Sequence, residues 1–400
     1  MSKRQRIGAL AFAAGALLVA CGGGDPEASG RQAPMAIGQG GLPTIVGHRG
    51  AAGHLPDHTL EGYALAIEMG ADMVEPDLVA TKDGVLIARH EPMLDDTTDV
   101  AAKFGSDRKS TKKLDGFDTT AYFASDFTLA EIKTLRARQP LAERPQEFNG
   151  RYAIPTFDEV LALVQDKANK KGRGIGVYPE TKHPTFHQEL GLALEDRLLA
   201  ALDRVGWNRA GAPVFIPSFE TANLKYLRGK TKVRLFQLVD ANDVNPLIGE
   251  ITYAPPFDRP YDWTVSGRGG TFGDLLTPAG LAEVKTYADG IAPWKRYLVT
   301  VMATLDAAGN PVDINGDGLI NEADYQAVAR PELFASVKRS GLLLHTWTFR
   351  SEARRLAATY GGDPAQEYHQ FFSLGIDGLF SDFPDAAVAA REAWKTTRKQ

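Results

Sequence analysis

A chain of 400 residues, 44% hydrophobic and 24% charged, has the make-up of an ordinary globular protein. Its length allows one large domain or two average ones, and α/β barrels often run this long as single domains. The formal net charge of -5 gives no electrostatic case for nucleic-acid binding, and the single cysteine excludes a disulfide within the chain.

The chain opens on a basic start, Lys3, Arg4 and Arg6, followed by an apolar stretch from Ile7 to Ala20. That stretch is too short to span a bilayer stably. It ends Leu18-Val19-Ala20-Cys21-Gly22, which resembles a bacterial lipoprotein signal. The resemblance implies a signal peptide over 1–21, export to the periplasm or cell envelope, and a membrane anchor through lipid on Cys21. An ordinary secretory signal with an incidental cysteine is the other reading. Residues 22–43 are rich in Gly, Ala, Ser and Pro and read as a flexible tether.

Thr44 to His48 reads as a strand. Leu60, Tyr63, Ala64 and Ile67 recur at helical spacing, and Gly70 ends that helix. Met73–Val79 and Val85–Arg89 read as strands around the turn Thr81-Lys82-Asp83-Gly84. The link between them, about five residues, is too short for a parallel crossover, so a hairpin-like pair or an irregular step is expected. Residues 91–155 lack strong periodicity and read as an insertion above the strand ends, without a core of its own, carrying a helix from Thr128 to Arg138. Ile154 to Phe157 leads into a helix ending near Lys170. Strands follow at Gly174–Glu180, Pro213–Phe219, Val233–Val239, Gly290–Pro293, Leu342–Thr348 and Asp377–Asp382. Helices are expected at Glu189–Val205, Thr221–Arg228, Pro278–Ala288, Glu352–Tyr360 and Asp385–Lys395, with a long loop over 241–275. About nine strands alternating with helices predict a parallel sheet covered by helices. The count suits a somewhat irregular TIM-type (β/α)8 barrel over 44–400, with the surplus strand in the short step.

Barrels place functional groups at the C-terminal ends of their strands. His48, Glu75, Asp77, His90, Glu180, Phe219 and Trp347 all fall there. Glu75 and Asp77 are two apart, so they face one side of a strand. Two carboxylates in one site repel, and a hard divalent cation is the usual reason to keep them together. Glu180 offers a third oxygen ligand. Ion pairs with nearby Arg or Lys are the alternative use of such acids. His48 and His90 suit acid/base work near neutral pH. Arg49 and Lys182 suit phosphate contacts, or salt bridges lining the barrel.

Successive stretches carry a family resemblance: His48-Arg49-Gly50-Ala51, Pro56-Asp57-His58-Thr59, Glu75-Pro76-Asp77-Leu78, Thr81-Lys82-Asp83-Gly84, His90, and Tyr178-Pro179-Glu180-Thr181-Lys182. It continues through Tyr287–Ile291, His345–Thr348 and Gly378–Pro384. Together they resemble the glycerophosphodiester phosphodiesterase family, in its periplasmic bacterial branch. The resemblance implies a TIM-type barrel hydrolysing glycerophosphodiesters to glycerol 3-phosphate and an alcohol. By the same resemblance, His48 and His90 are the catalytic pair and Glu75, Asp77 and Glu180 bind calcium or magnesium. Arg49 and Lys182 then hold the phosphate, while Phe219 and Trp347 line the substrate pocket. Two departures stand out: Asp57 replaces a usual Glu, and Pro76 sits between two metal acids. A related phospholipase of the C or D type, or a silent calcium-binding surface protein, are the competing readings.

A second feature lies outside the barrel pattern, in an insertion at about 309–328. Asp313, Asn315, Asp317, Leu319, Asn321 and Asp324 occupy loop positions 1, 3, 5, 7, 9 and 12 of the calcium-loop template, with Gly318 at position 6. Leu319 would ligate through its carbonyl. A single structural calcium ion is expected there.

Overall fold

The structure is a computed structural model that describes residues 41–397; the signal stretch, Cys21 and nearly all of the tether lie outside the described residues. Eight strands form the central sheet: β1 (Thr44–Gly47), β2 (Met73–Val74), β3 (Gly176–Val177), β4 (Phe215–Ser218), β5 (Arg234–Val239), β6 (Gly290–Pro293), β7 (Leu343–Phe349) and β8 (Gly378–Ser381). Their order is β3-β2-β1-β8-β7-β6-β5-β4, and each neighbouring pair is parallel. A parallel bridge from Val177 to Val214, with Val177 N donating to Pro213 O at 3.0 Å, brings the two ends together. The result is a nearly closed TIM-type barrel, as the alternating strands and helices predict.

Side chains alternate along each strand. Ile45, Ile216, Leu235 and Leu379 pack outward in the large core shared with the helices. Val46, Phe215, Phe236 and Phe380 face inward with Tyr178. His345 joins this interior layer, its ring 4.4 Å from that of Phe236, and burial pushes its pKa down to about 3. It is a core histidine. Two glycines make room for these rings. A Cβ on Gly290 would lie 2.2 Å from the Phe236 ring, and one on Gly378 would lie 2.8 Å from His345 Nε2. Gly290→Ala is therefore expected to overpack the barrel and cost roughly 1–3 kcal/mol, read as a lower urea midpoint at unchanged slope.

The ninth candidate strand is not part of the barrel wall. Leu86–Ala88 runs antiparallel to Asp77–Ala80, with Leu78 opposite Ala88. The expected strand Met73–Val79 is broken at Glu75-Pro76, and its neighbour is broken at Tyr178-Pro179. Proline supplies no N–H to a ladder. The carbonyls still serve: Tyr178 N donates to Val74 O at 2.8 Å and Glu180 N to Pro76 O at 3.0 Å. Beyond the break Asp77 stands level with Glu180.

The insertion differs from expectation in two ways. Its helix is confined to Leu129–Ile132, behind a Thr128 capping box. Beyond it, Ala137 pairs with Thr98 and Arg136 with Ala153, so extended pairing replaces further turns of helix. The segment also has a small core: Leu94, Val100, Phe127, Ile132 and Ile154 pack against Val79 and Ile87 of the hairpin. Further along, the 241–275 loop contains a short hairpin, Asp243–Asn245 with Glu250–Thr252, and a helix at Tyr261–Ser266. The helix expected at Glu352–Tyr360 is two 3-10 turns, and the true helix follows at Pro364–Leu374. Pro331–Ser340 is a helix that the periodicity did not signal.

Candidate active site

β1 ends at Gly47, and the chain turns at once. His48 N donates to Ser381 O at 3.0 Å, and Arg49 adopts a left-handed φ of 55°. That turn lets Arg49 N donate to Glu75 Oε2 at 3.0 Å. Glu75 follows the end of β2, and the broken strands carry Asp77 and Glu180 beside it. Ligand oxygens of these three buried acids all lie within 4.8 Å of one another.

The three carboxylates are not equivalent. Burial, then the charges of Asp77 and Glu180, hold Glu75 well above the usual carboxylate range. Burial pushes Glu180 up to about 7, with Lys182 Nζ 2.9 Å from its Oε1 opposing the rise. Burial also acts against ionised Asp77, but His58 outweighs it and holds Asp77 low. His58 Nε2 lies 3.0 Å from Asp77 Oδ2, and its Nδ1 lies 2.7 Å from the Tyr63 hydroxyl. Asp77 Oδ1 is buried with no hydrogen-bond partner. An orphaned carboxylate oxygen beside two further buried acids suits a hard divalent cation.

The histidines flank this cluster. His48 Nδ1 meets Asp382 Oδ1 at 2.5 Å, and its Nε2 is 3.7 Å from Glu75 Oε2. Asp382 also binds Arg144 Nη2 at 2.5 Å and Arg350 Nε at 2.9 Å. Burial disfavours its charge, yet His48 and these guanidinium groups hold it well below the carboxylate range. His90 Nδ1 lies 2.8 Å from Glu91 Oε1, while its Nε2 is 3.5 Å from Lys182 Nζ. Burial, with Arg49 and Lys182, pushes His90 down to about 3, so it is neutral near pH 7. The carboxylate at Nδ1 assigns the ring proton there and leaves Nε2 as an acceptor facing Lys182 Nζ. Arg49 Nη1 is anchored to Asp57 Oδ2 at 3.1 Å. Arg89, fully buried, donates to the carbonyls of Asp57, His58, Ala88 and Thr97 and so ties the two histidine-bearing loops together.

Arg49, His90, Glu180, Lys182, Phe219 and Trp347 line one cavity of about 280 Å³. Phe219 and Trp347 meet edge to face, with centroids 5.7 Å apart. His48, Glu75 and Asp77 are not on its wall but adjoin it through Arg49 and Glu180. The calcium-loop residues are elsewhere, between the paired strands Val299–Ala303 and Tyr325–Ala329. Asp313 accepts from Gly316 N at 2.7 Å and Gly318 N at 2.8 Å, and buried Asp324 accepts from Ile314 N at 2.8 Å. Among the described residues the Glu75–Asp77–Glu180 group is the one cluster of three acids and histidines close enough to share a cation.

Sequence reasoning gave no role to Asp57, His58, Glu91, Arg144 or Asp382. Asp57, His58 and Asp382 stand in stretches that carried the family resemblance, which was the available signal. Arg144 had none, being set in the insertion.

The glycerophosphoryl diester phosphodiesterase family pattern matches residues 48–253 and 281–386. The chain belongs to this family. It is 34% identical to the Arabidopsis thaliana glycerophosphodiester phosphodiesterase GDPD6, over 85% of this chain and 84% of that one. It is 28% identical to the Haemophilus influenzae glycerophosphodiester phosphodiesterase, over 86% of this chain and 88% of the relative. A Silicibacter pomeroyi structure assigned as a glycerophosphoryl diester phosphodiesterase shares the fold at TM-score 0.55, with 18% identity over 88% of this chain and 94% of that one. An Oleispira antarctica phosphodiesterase in complex with the product sn-glycerol-3-phosphate aligns at TM-score 0.50, with 18% identity over 88% and 97% of the two chains. The protein is thus a glycerophosphodiester phosphodiesterase, and a silent binding protein is set aside.

Asp382 in this phosphodiesterase is a buried anion shared by His48, Arg144 and Arg350. Asp382→Asn removes the counter-charge of Arg350 and one of the two carboxylates that Arg144 shares with Glu352. It is expected to destabilise the enzyme by about 3 kcal/mol, read by urea unfolding at pH 7. Because the native pKa is depressed, that contribution is present above the unfolded carboxylate pKa and fades as pH falls through the native one. The gap between wild type and variant should therefore narrow in acid.

Proposed function

We propose that this enzyme cleaves glycerophosphodiesters by acid/base catalysis between His48 and His90. The observation that carries the proposal is the set of three buried carboxylates flanked by these two histidines. One histidine accepts the proton of the attacking water as its oxygen bonds to phosphorus. The other gives a proton to the leaving alkoxide as the phosphorus–oxygen bond breaks. The products are glycerol 3-phosphate and an alcohol, and one water is consumed. Arg49 and Lys182 balance the phosphate charge, and Phe219 and Trp347 enclose the substrate.

Glu75, Asp77 and Glu180 would hold a divalent cation, calcium or magnesium, which neutralises their charge and polarises the phosphoryl group. The glycerol-3-phosphate complex of the Oleispira relative supports the product assignment. The decisive assay follows glycerol 3-phosphate release from glycerophosphocholine and glycerophosphoethanolamine, with calcium or magnesium and with chelator. Release that needs the cation is expected; no release under any condition sinks the proposal.

Two further parts of the proposal stand apart from catalysis. The spacing of Asp313, Asn315, Asp317, Leu319, Asn321 and Asp324 supports a second, structural calcium ion; a calcium count of one per chain at saturation would refute it. The Leu18–Gly22 stretch supports export and lipid attachment at Cys21, tested by radiolabelled palmitate incorporation in a bacterial host. Equal labelling of a Cys21→Ala variant would exclude the anchor. Among the described residues no helix is long and apolar enough to cross a membrane.

A further inference from the structure

We propose that the outer part of the cavity selects glycerophosphodiesters whose alcohol carries an ammonium or quaternary ammonium group. The proposal rests on the assignment of this cavity as the active site. Its phosphate end is cationic, with Arg49 and Lys182 beside His90. The character then changes abruptly. Lys182 Nζ sits 5.4 Å from the centroid of the Phe219 ring. From Phe219 an aromatic wall continues edge to face to Trp347 at 5.7 Å and to Phe272 at 6.0 Å, and Phe257 and Tyr261 extend the lining.

Two carboxylates, Glu220 and Asp240, line the same space. Thr185 occupies Glu220 through its N–H and hydroxyl. Asp240 follows the end of β5 and accepts only from the backbone N–H of Ala241, at 2.8 Å. Among the described residues neither acid has an ion-pair partner within 4 Å. Burial pushes Asp240 up to about 7 and Glu220 up to about 8, so a cation brought beside them draws them into the charged form. The other cations in the lining are already paired, Arg259 with Asp258 at 2.7 Å and His183 with Asp115 at 2.9 Å and Glu91 at 3.2 Å. Rings and unpaired carboxylates around one space are the arrangement that holds an organic cation.

Part of this lining lies outside the stretches that the family pattern matches. Phe257, Tyr261 and Phe272 fall within 254–280, the segment that the family pattern leaves unmatched. Arg49 and Lys182 face the phosphate, and residues of 254–280 extend the aromatic lining beyond it.

The test compares kcat/KM of the full enzyme, with added calcium, on glycerophosphocholine, glycerophosphoethanolamine, glycerophosphoglycerol and glycerophosphoinositol. The two cationic substrates are expected to be favoured by roughly tenfold or more, as one cation–aromatic contact reinforced by a carboxylate allows. Asp240→Asn is expected to shrink the choline-to-glycerol ratio about tenfold, mainly through KM, and Asp240→Glu to restore part of it. Choline chloride should inhibit competitively at concentrations where glycerol does not, a readout that needs no variant to fold. Equal turnover of all four substrates by the wild type, or choline no better than glycerol as an inhibitor, overturns the selectivity and leaves the active-site assignment intact. An unchanged ratio in a folded Asp240→Asn variant overturns the role of Asp240. No turnover of any substrate overturns the assignment itself, and the selectivity with it.

Discussion

His48→Ala and His90→Ala are each expected to lower kcat on glycerophosphocholine by roughly 10²–10⁴-fold, the usual worth of a positioned acid or base. Both rings are held by a carboxylate at Nδ1, Asp382 for His48 and Glu91 for His90. Each therefore presents Nε2 as its working nitrogen. The two losses should differ in pH dependence. Burial pushes both rings down, and at His90 Arg49 and Lys182 add to it while at His48 Asp382 opposes it, so the profile of His48→Ala should shift differently from that of His90→Ala. In the double variant the losses should not multiply, because the two groups act in one proton circuit. The measurement is kcat and KM for both single variants and the double variant under saturating cation. Turnover near the wild-type level in either single variant would exclude that histidine from proton transfer.

The second large effect concerns stability. Without a cation, Glu75, Asp77 and Glu180 crowd like charges in a buried space, and Glu75 is pushed up as a result. Calcium binding at a hundred times its dissociation constant would add about 2.7 kcal/mol, visible as a rise of a few degrees in Tm. Glu75→Gln should behave in the opposite sense to a damaged site in the absence of metal. It mimics the uncharged carboxyl that burial and the neighbouring acids favour at Glu75, and its amide oxygen can still accept the Arg49 N–H. Its metal-free Tm is expected to match or exceed that of the wild type, while its response to calcium shrinks. If the proposed loop at Asp313–Asp324 also binds calcium, Asp313→Ala in the Glu75→Gln background should reduce the shift that persists. An identical calcium response in Glu75→Gln and wild type would show that the three acids do not bind the ion. This readout is independent of catalysis.

The barrel was legible because its signals are local. Apolar strand segments with polar residues just beyond them recur between amphipathic helices, and the short Asp77-to-His90 step announced its hairpin by length alone. The acids, histidines and basic groups that surround the cavity were legible for the same reason, since strand ends mark themselves. What escaped was set by long-range contact. Asp382 meets His48 across 334 residues, and Arg144 meets Asp382 across 238. No periodicity reports such pairings. The helix expected at Thr128–Arg138 failed on the same ground, because extended pairing with Thr98 and Ala153 competes with continued helix there. The aromatic wall over 254–280 was composition without position until the chain was folded.

One feature of the barrel bears on how the protein is made. β1 lies between β2 and β8, the earliest and latest partners available to it, and Arg391 in the final helix donates to Pro43 O and pairs with Asp72. During synthesis the first strand leaves the ribosome with one of its edges waiting for residues 378–381, the last strand of the barrel. Such distant pairing is slow to form and cannot be hurried by local structure. The same delay governs chemistry: His48 is among the first site residues translated, yet its Asp382 partner arrives nearly at the end. A nascent or truncated chain therefore carries both histidines and all three acids without an oriented His48. Hydrolytic competence is therefore expected only after the first and last strands of the barrel have paired.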